Sequence, residues 1–330
     1  MSRPLTASIP SRRGACLALV LGAGLVLLGP GSAAGAGRPV VHTGPATQVT
    51  PSSATLTGSI NPNGRASSYF FQFGVSRSYS GQSGFYESDS RSVNEPLSVP
   101  VSNLAADTTY HYRLVAINEF GRSVGPDRSL KTAKIPLSLA IVAYPNPVAF
   151  RSATTIAGTL SGTGNGNRAV QLQANAFPYT GGFVNQGNPE LTNPSGTFAF
   201  NVLSLSINTQ FRVITVGSRP VASPPVTAEV AVTVGLSPVP RRVRRGARVR
   251  FRGSLTPAED GAPLAVQKLV HRRWVTVAGT SAHHGGRTSS SFQRRVRVRR
   301  SGLYRVYATI RDGAHYRTAI SSPVYITAHR

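Results

Sequence analysis

LAADTTYHYRLVAINEFGRS, residues 104–123, is the stretch of sequence that decides the fold. From Tyr110 onward, apolar and polar side chains alternate with a period of two, so that Tyr110, Tyr112 and Leu114 share one face. Leu104 precedes Tyr110 with the same parity. Because successive residues of a strand point to opposite sides, this pattern predicts a strand with one side buried in a β-sheet.

Two patterns upstream predict strands of the same kind. ATLTGSINPNG (54–64) places Leu56 and Ile60 on one face and ends in an Asn-Pro-Asn-Gly turn, and SSYFFQFG (67–74) alternates aromatic side chains. Short alternating runs that are separated by turn residues favour an all-β sandwich or barrel.

The string L-x5-Y-x-Y-x-L-x-A-x-N-x-x-G resembles a fibronectin type III domain, in the version common in bacterial secreted proteins, and the resemblance extends over residues 39–134. It implies a sandwich of about seven strands, in which Tyr110 is the corner tyrosine that bonds back to the preceding corner and Leu104 is structural. It implies no chemistry. The usual proline after the leucine is absent, since Ala105 follows.

Short alternating strands continue after residue 134, and no long stretch has a helical period. One sandwich of this class takes about 100 residues, so the chain is long enough for several. We therefore predict an all-β fold of three tandem Ig-like/fibronectin type III sandwiches after a signal peptide. The expected modules are the fibronectin-like one at 39–134 and two Ig-like ones at 138–234 and 235–330.

The two Ig-like modules align with each other. TTIAGTL (154–160) matches RVRFRGSL (248–255), and GTFAFNV (196–202) matches SSFQRRV (290–296), at an offset of about 94 residues, which indicates duplication of one domain. Both resemble bacterial immunoglobulin-like repeats in their spacing. Two short segments that carry proline are predicted to be semi-rigid linkers: TAKIPL (132–137) and VGLSPVP (234–240).

Residues 1–36 are predicted to be a secretory signal peptide. A basic segment precedes the short apolar core CLALVLGAGLVLLG (16–29), and Ala34-Gly35-Ala36 fits an A-x-A cleavage site. Cleavage is expected near Ala36, which would place the protein outside the cell, free or associated with the cell surface or wall. An uncleaved anchor is the alternative, although a spanning helix needs about 20 apolar residues. Cys16, the one cysteine, leaves with the signal peptide, so no disulfide is expected.

Sequence patterns that could indicate an enzyme or a metal site are weak. GRSVG (121–125) matches a hydrolase motif, but Ser123 follows a predicted strand with no helix behind it. Glu259 and Asp260 are the one adjacent acid pair, and we expect them to be solvated in a turn. His283-His284 could bind a surface metal weakly, but we expect no Asp, Glu or Cys to stand nearby to complete a metal shell. We therefore predict no catalytic residue, no metal site and no cofactor.

Positive charge is concentrated in residues 235–330. The chain has 36 lysines and arginines against 11 acids, a formal net charge of +25, and this region alone carries 20 of those bases and 3 of the acids. In ARVRFRG (247–253) and QRRVRVRR (293–300), arginines alternate with valines and a phenylalanine, so the apolar side chains are expected to face inward and the arginines outward. The strand order of Ig-like sandwiches makes these two runs neighbours in one sheet.

These arginines are the predicted binding residues for an anion. The six on the two predicted strands are Arg248, Arg250, Arg252, Arg295, Arg297 and Arg299. Four more are expected to assist them: Arg241, Arg242, Arg244 and Arg245. Trp274, the one tryptophan, is predicted to be structural, in the core or half-buried. A GC-rich genome, which favours arginine codons, is the alternative explanation for the arginine content.

Three functional hypotheses follow from these patterns. The first is a secreted, non-enzymatic binding or adhesion-type protein whose basic C-terminal module contacts an anionic cell-wall polymer, an acidic polysaccharide or a membrane surface, with protein contacts through the fibronectin-like module. The second is a passive stalk or spacer, and the third is an accessory module of a carbohydrate-active enzyme. Regulated nucleic-acid binding is not expected, because the basic region has neither a helix for the major groove nor a row of aromatic side chains for stacking.

Overall fold

The computed structural model describes residues 37–330, and every regular element among them is a β-strand. The predicted all-β fold class is therefore confirmed. The predicted signal peptide (1–36) lies outside the described residues. Across residues 37–330 there is no helix that is long and apolar enough to cross a bilayer.

The first set of strands builds two sheets in the fibronectin-like region. Its members are β1 (Val40–Thr43), β2 (Ser53–Asn61), β3 (Ser67–Gly74), β4 (Gly81–Gln82), β5 (Tyr86–Ser88), β6 (Glu95–Ser102), β7 (Thr109–Asn118), β8 (Gly121–Val124) and β9 (Arg128–Lys131). One sheet has the order β1-β2-β6, and the other has the order β4-β3-β7-β8, with β5 on β3 and β9 on β7.

Within the stretch 104–123, residues Thr109–Asn118 form β7, the strand at the centre of the second sheet. Tyr112 and Leu114 are fully buried, as their alternation predicts, and Phe71 of β3 packs against Tyr112 with ring centroids 6.4 Å apart. The hydroxyl of Tyr110 accepts a hydrogen bond from the backbone N–H of Ala105 at 2.9 Å. This bond ties the start of β7 to the preceding corner, as the resemblance to fibronectin type III domains implies.

The second and third sets of strands repeat one plan. The second set is β10 (Ser138–Tyr144), β11 (Val148–Ala149), β12 (Ser152–Ser161), β13 (Ala169–Ala176), β14 (Val184–Asn185), β15 (Glu190–Leu191), β16 (Thr197–Leu205), β17 (Thr209–Thr215), β18 (Val226–Ala228) and β19 (Val230–Ala231). The third set is β20 (Thr233–Val239), β21 (Arg242–Arg244), β22 (Arg248–Thr256), β23 (Pro263–Val270), β24 (Arg273–Ser281), β25 (His283–Gly286), β26 (Ser289–Arg297), β27 (Gly302–Thr309), β28 (Thr318–Ile320) and β29 (Val324–His329).

The strand orders of these two sets correspond. The order β10-β12-β16 in one matches β20-β22-β26 in the other, and β14-β13-β17-β18 matches β24-β23-β27-β28. Each set buries one apolar core between its sheets, with Ile156 and Leu160 of β12 in the first case and Phe251 and Leu255 of β22 in the second. The four side chains occupy the positions that the sequence alignment pairs, which supports the predicted duplication.

A contact between an arginine, a glutamine and an aromatic ring recurs in all three sets, on the sheet that contains β3 and β7 in the first set, β13 and β17 in the second, and β23 and β27 in the third. In the third set, Nε of Arg305 donates to Oε1 of Gln267 at 2.9 Å, and the guanidinium lies 4.2 Å from the ring centroid of Trp274. Trp274 is half-buried. The corresponding groups are Arg212, Gln173 and Phe183 in the second set and Arg113, Gln72 and Tyr79 in the first.

The segment 234–240, which we predicted to be a linker, belongs almost entirely to β20 and pairs with β22. The prediction failed because proline is tolerated on an edge strand, where its missing N–H faces no partner. The other predicted linker, 132–137, contains no strand.

Hydrogen bonds join the second and third sets, which lie in one compact unit of the chain. The backbone N–H of Asn208 donates to the carbonyl of Ala314 at 2.7 Å, and the N–H of Tyr316 donates to the carbonyl of Val230 at 2.8 Å. The two sets are therefore fastened at a joint rather than strung on a free linker.

Replacing Gly253 with alanine should destabilise the third set. A Cβ at this position would lie 2.6 Å from Cζ of Phe292 and would also meet the carbonyl oxygen of Gly235. Overpacking of this kind costs about 1–3 kcal/mol. We expect Gly253→Ala to lower the midpoint of thermal unfolding, and Gly158→Ala to act in the same way, because its Cβ would lie 2.5 Å from Cζ of Phe198.

The matched control is Gly181→Ala, because a Cβ at Gly181 would have no neighbour within 4 Å. Its unfolding midpoint should stay close to that of the wild type in calorimetry. Equal midpoints for Gly253→Ala and Gly181→Ala would contradict the close packing described here.

Candidate anion-binding surface

The two arginine-rich runs form adjacent antiparallel strands, β22 and β26. Arg248 lies opposite Arg297, and Arg250 lies opposite Arg295. Between these pairs Val249 faces Val296 and is fully buried. Alternate residues of these two runs therefore point to opposite sides of the sheet, with Val249 and Val296 in the core and the paired arginines exposed to solvent.

We define the arginine face as the five exposed arginines on the outer side of these strands: Arg248, Arg250, Arg252, Arg295 and Arg297. Arg252 lies opposite Gln293 rather than opposite a further arginine. Arg299, the sixth predicted residue, is exposed but follows the end of β26. The structure therefore brings five of the six predicted strand arginines together on paired strands.

A cavity of about 440 Å³ opens on the arginine face. Four arginines of the face line it, together with two residues at the end of the edge strand β20: Arg248, Arg250, Arg252, Arg295, Val239 and Pro240. Val239 lies opposite Arg250 in the sheet. Sequence reasoning missed Val239 and Pro240, because it assigned their segment to a linker.

The charge of the arginine face is not neutralised by ion pairs. Within residues 37–330, no carboxylate lies within 4.0 Å of a nitrogen of these five side chains. The Arg297 side chain is hydrogen-bonded to the backbone, since its Nε donates to the carbonyl of Gly246 at 2.9 Å. Arginine guanidinium groups stay charged at any physiological pH, so the face carries its full positive charge.

The corresponding face of the second set has no such charge. At the position of the Arg250–Arg295 pair, Thr155 of β12 lies opposite Asn201 of β16, and the Thr155 hydroxyl donates to Oδ1 of Asn201 at 3.0 Å. The same backbone pairing therefore carries a neutral hydrogen-bonded pair in one set and two cations in the other. The fold itself does not require arginine here.

Two of the four arginines that we expected to assist, Arg242 and Arg244, lie on a strand of the other sheet. β21 pairs in parallel with β29, in the other sheet of the third set, and places Arg242 opposite Thr327 and Arg244 opposite His329. Arg241 and Arg245 flank β21. Arg242 and Arg244 therefore do not lie on the two strands of the arginine face, because the chain changes sheets between β20 and β22; that these arginines assist anion binding stays a prediction.

Two expectations about acidic residues are also wrong. Glu259 is not solvated in its turn; it is only 6 % exposed. His284 does have an acid beside it, since its Nδ1 lies 3.3 Å from Oδ2 of Asp260. Ser123 lies in strand β8, as expected from its lack of a helix.

Glu259 belongs to a cluster with Asp312 and His315 that the sequence did not indicate. Nδ1 of His315 lies 2.7 Å from Oε1 of Glu259 and 2.7 Å from Oδ2 of Asp312. Burial alone would lower the pKa of His315, but the two carboxylates outweigh burial and raise the pKa to about 9. No pattern in the sequence pairs these residues, because the fold alone brings the two distant segments together.

Comparison with known proteins identifies no family and only distant structural alignments. No protein-family model and no curated protein matches the chain. Among solved structures, the FN1–FN3 domains of chicken CNTN1 align at 15 % identity and a TM-score of 0.30, over 88 % of this chain and 100 % of that one. A tetra-tandem repeat from the extending region of a large adhesion protein aligns at 14 % identity and a TM-score of 0.31, over 89 % of this chain and 75 % of that one. At these TM-scores the fold assignment depends on the strand pairing of this chain itself.

Replacing Arg250 with threonine should stabilise the third set. Like charges directly opposite each other in a sheet cost about 0.2–1 kcal/mol, and Arg250 faces Arg295. We expect the free energy of unfolding of Arg250→Thr to rise by that order in low salt. Added salt should stabilise the wild type more than the variant, because it screens the repulsion that the variant lacks.

Arg242→Thr removes the same charge from a strand where the facing residue is Thr327, so it serves as the matched control. Urea unfolding at low and high salt measures both variants. If Arg250→Thr and Arg242→Thr shift stability equally, repulsion across the arginine face is not the cause.

Proposed function

We propose that the protein is an extracellular, non-enzymatic binding protein that holds an anionic polymer on its arginine face. The observation that carries this proposal is the presence of five exposed arginines without ion pairs on the outer side of two adjacent strands, four of which line a cavity of about 440 Å³. An extracellular location is supported by the predicted signal peptide (1–36).

The spacing of the charges favours a polymer over a single small anion. Arginines two residues apart on a strand are separated by about 6.5–7 Å, and strands lie about 4.8 Å apart. The arginine face therefore presents a double row of cations at regular intervals. A chain with a phosphate or carboxylate at each repeat unit can contact several of them at once, and each planar guanidinium can donate two hydrogen bonds to such a group.

The cost of the arrangement also supports a ligand. Opposed arginines weaken the sheet, and the second set shows that the same fold is built with Thr155 and Asn201 instead. A polyanion would relieve the repulsion on binding. Nucleic acid is a weaker candidate, because the lining of the cavity has no aromatic side chain on which a base could stack.

The arginine face has no apparent catalytic chemistry of its own. Its cavity is lined by arginine, valine and proline, none of which acts as a general acid, a general base or a nucleophile at neutral pH. These features support a binding surface rather than an active site. A passive stalk remains the competing function, and it differs from the proposal in requiring no affinity for polyanions.

The experiment compares the full chain with an Arg250→Ser/Arg295→Ser variant. Binding to a polyol-phosphate polymer and to a polyuronate is measured by calorimetry from about 50 to 500 mM salt, with neutral dextran as the blank. We expect the double variant to bind about 10- to 30-fold more weakly at low salt, at roughly 1 kcal/mol for each arginine. Its affinity should also depend less steeply on salt.

The matched control is Arg242→Ser/Arg244→Ser, which has the same net charge but leaves the arginine face intact. It should bind as the wild type does. Equal losses in both double variants would show attraction by net charge alone and would refute the arginine face as the site. Wild-type binding to anionic lipid vesicles but to neither polymer would refute a polymer ligand. If the wild type binds none of these anions, the passive stalk is the function that the result supports.

A further inference from the structure

We propose that Glu259, Asp312 and His315 bind a divalent transition-metal ion of the zinc type at the joint between the second and third sets of strands. This site is separate from the arginine face and does not depend on the function proposed for it. Residues 235–330 contain only three carboxylate side chains, Glu259, Asp260 and Asp312, and two of them face one histidine.

The three side chains already converge on one point. Each offers one ligand atom, and these atoms lie within 4.8 Å of one another: Nδ1 of His315, a carboxylate oxygen of Glu259 and a carboxylate oxygen of Asp312. Zinc bonds to nitrogen and oxygen ligands are about 2.0–2.2 Å long, and tetrahedral ligands at that distance lie about 3.4 Å apart. The two distances of 2.7 Å between Nδ1 of His315 and the carboxylate oxygens would therefore have to open by about 0.7 Å.

Glu259 and Asp312 share the one imidazole of His315 as their charged neighbour. Oε1 of Glu259 is buried and accepts no hydrogen bond, although Nδ1 of His315 lies 2.7 Å away. A single proton on Nδ1 cannot be donated fully to both Oε1 of Glu259 and Oδ2 of Asp312, and a metal ion that binds Nδ1 would displace this proton into solvent. A buried carboxylate oxygen that points at a ligand nitrogen and has no donor of its own is unfavourable, and a cation can satisfy both carboxylates together.

Neighbouring groups orient the ligands in the way that metal sites require. The backbone N–H groups of Ala314 and His315 donate to Oδ1 of Asp312 at 3.0 and 3.2 Å, which leaves Oδ2 free to bind. Nε2 of His315 lies 3.2 Å from the carbonyl oxygen of Ser206, in the second set. Metal-binding histidines commonly donate their other ring N–H to such an oxygen, and that bond leaves Nδ1 as the ligand.

The ligand set points to a particular class of ion. One imidazole nitrogen with two carboxylates suits Zn²⁺ and its neighbours, whereas Ca²⁺ and Mg²⁺ prefer oxygen ligands throughout. A cavity of about 510 Å³ borders Glu259 and Asp312 and can supply water as a fourth ligand. Arg311 also lines this cavity, and its positive charge repels a metal cation. Both carboxylates, those of Glu259 and Asp312, are therefore needed to bind the ion.

An ion at this site would stiffen the joint. Glu259 lies in the turn between β22 and β23, whereas Asp312 and His315 lie in the loop between β27 and β28. That loop reaches the second set, where the side-chain amide of Asn208 donates to the carbonyl of Gly313 at 3.1 Å. By fixing the loop to the body of the third set, the metal would hold the surface that docks on the second set.

The test is titration of the chelator-treated full chain with Zn²⁺ by calorimetry. We expect one equivalent of Zn²⁺ per chain, and affinities weakened by about 10- to 100-fold or more in Glu259→Gln and in Asp312→Asn. Thermal unfolding of the wild type should shift to higher temperature with Zn²⁺ and should not shift with Mg²⁺, because a bound ligand stabilises the folded state.

The control is the double variant His283→Ser/His284→Ser, which removes the exposed histidine pair and should retain the equivalent of Zn²⁺. A wild-type chain that binds no Zn²⁺ would overturn the proposal, whether or not the variants fold. Zinc binding that is lost with His283 and His284 and kept in Asp312→Asn would also overturn it, by placing the ion on the histidine pair.

Discussion

The arginine face depends on the burial of Val249, Phe251 and Val296 in the core of the third set. These side chains fill the space between the two sheets, so the residues between them on β22 and β26 must point into solvent. A slip of one residue in the pairing would send a row of guanidinium groups into the core and expose the valines. The apolar alternation thus fixes the register, and the register opposes arginine to arginine.

Comparison of the two related sets separates what the fold requires from what the surface carries. Codon bias in a GC-rich genome would enrich arginine in both sets alike, since it acts on the whole coding sequence. Yet the outer position that holds Arg250 in β22 holds Thr155 in β12, although the strand order is the same and the next residue, Phe251 or Ile156, is buried in both. The concentration of charge on one of two equivalent sheets, against a repulsive cost, is the observation behind the anionic ligand that we propose.

The local alternation of apolar and polar residues predicted some features of this molecule and did not predict others. It predicted that Arg248 and Arg295 lie on outward faces of strands, because a period of two is a property of consecutive residues. It misassigned β20, where Pro238 and Pro240 suggested a linker although an edge strand tolerates them. It did not predict the contact between Glu259 and His315, because that contact is made by the packing of two turns that are distant in sequence. Contacts between segments remote in sequence leave no periodic trace.

The separation of charges within the third set links the two proposed sites. All three of its carboxylates line the cavity near the joint, and that cavity shares no residue with the one on the arginine face. Had Glu259 or Asp312 been placed beside Arg250, an internal ion pair would have competed with any external anion. Because the acids are engaged with His315 and His284 instead, the positive potential of the face is left for a partner outside the chain.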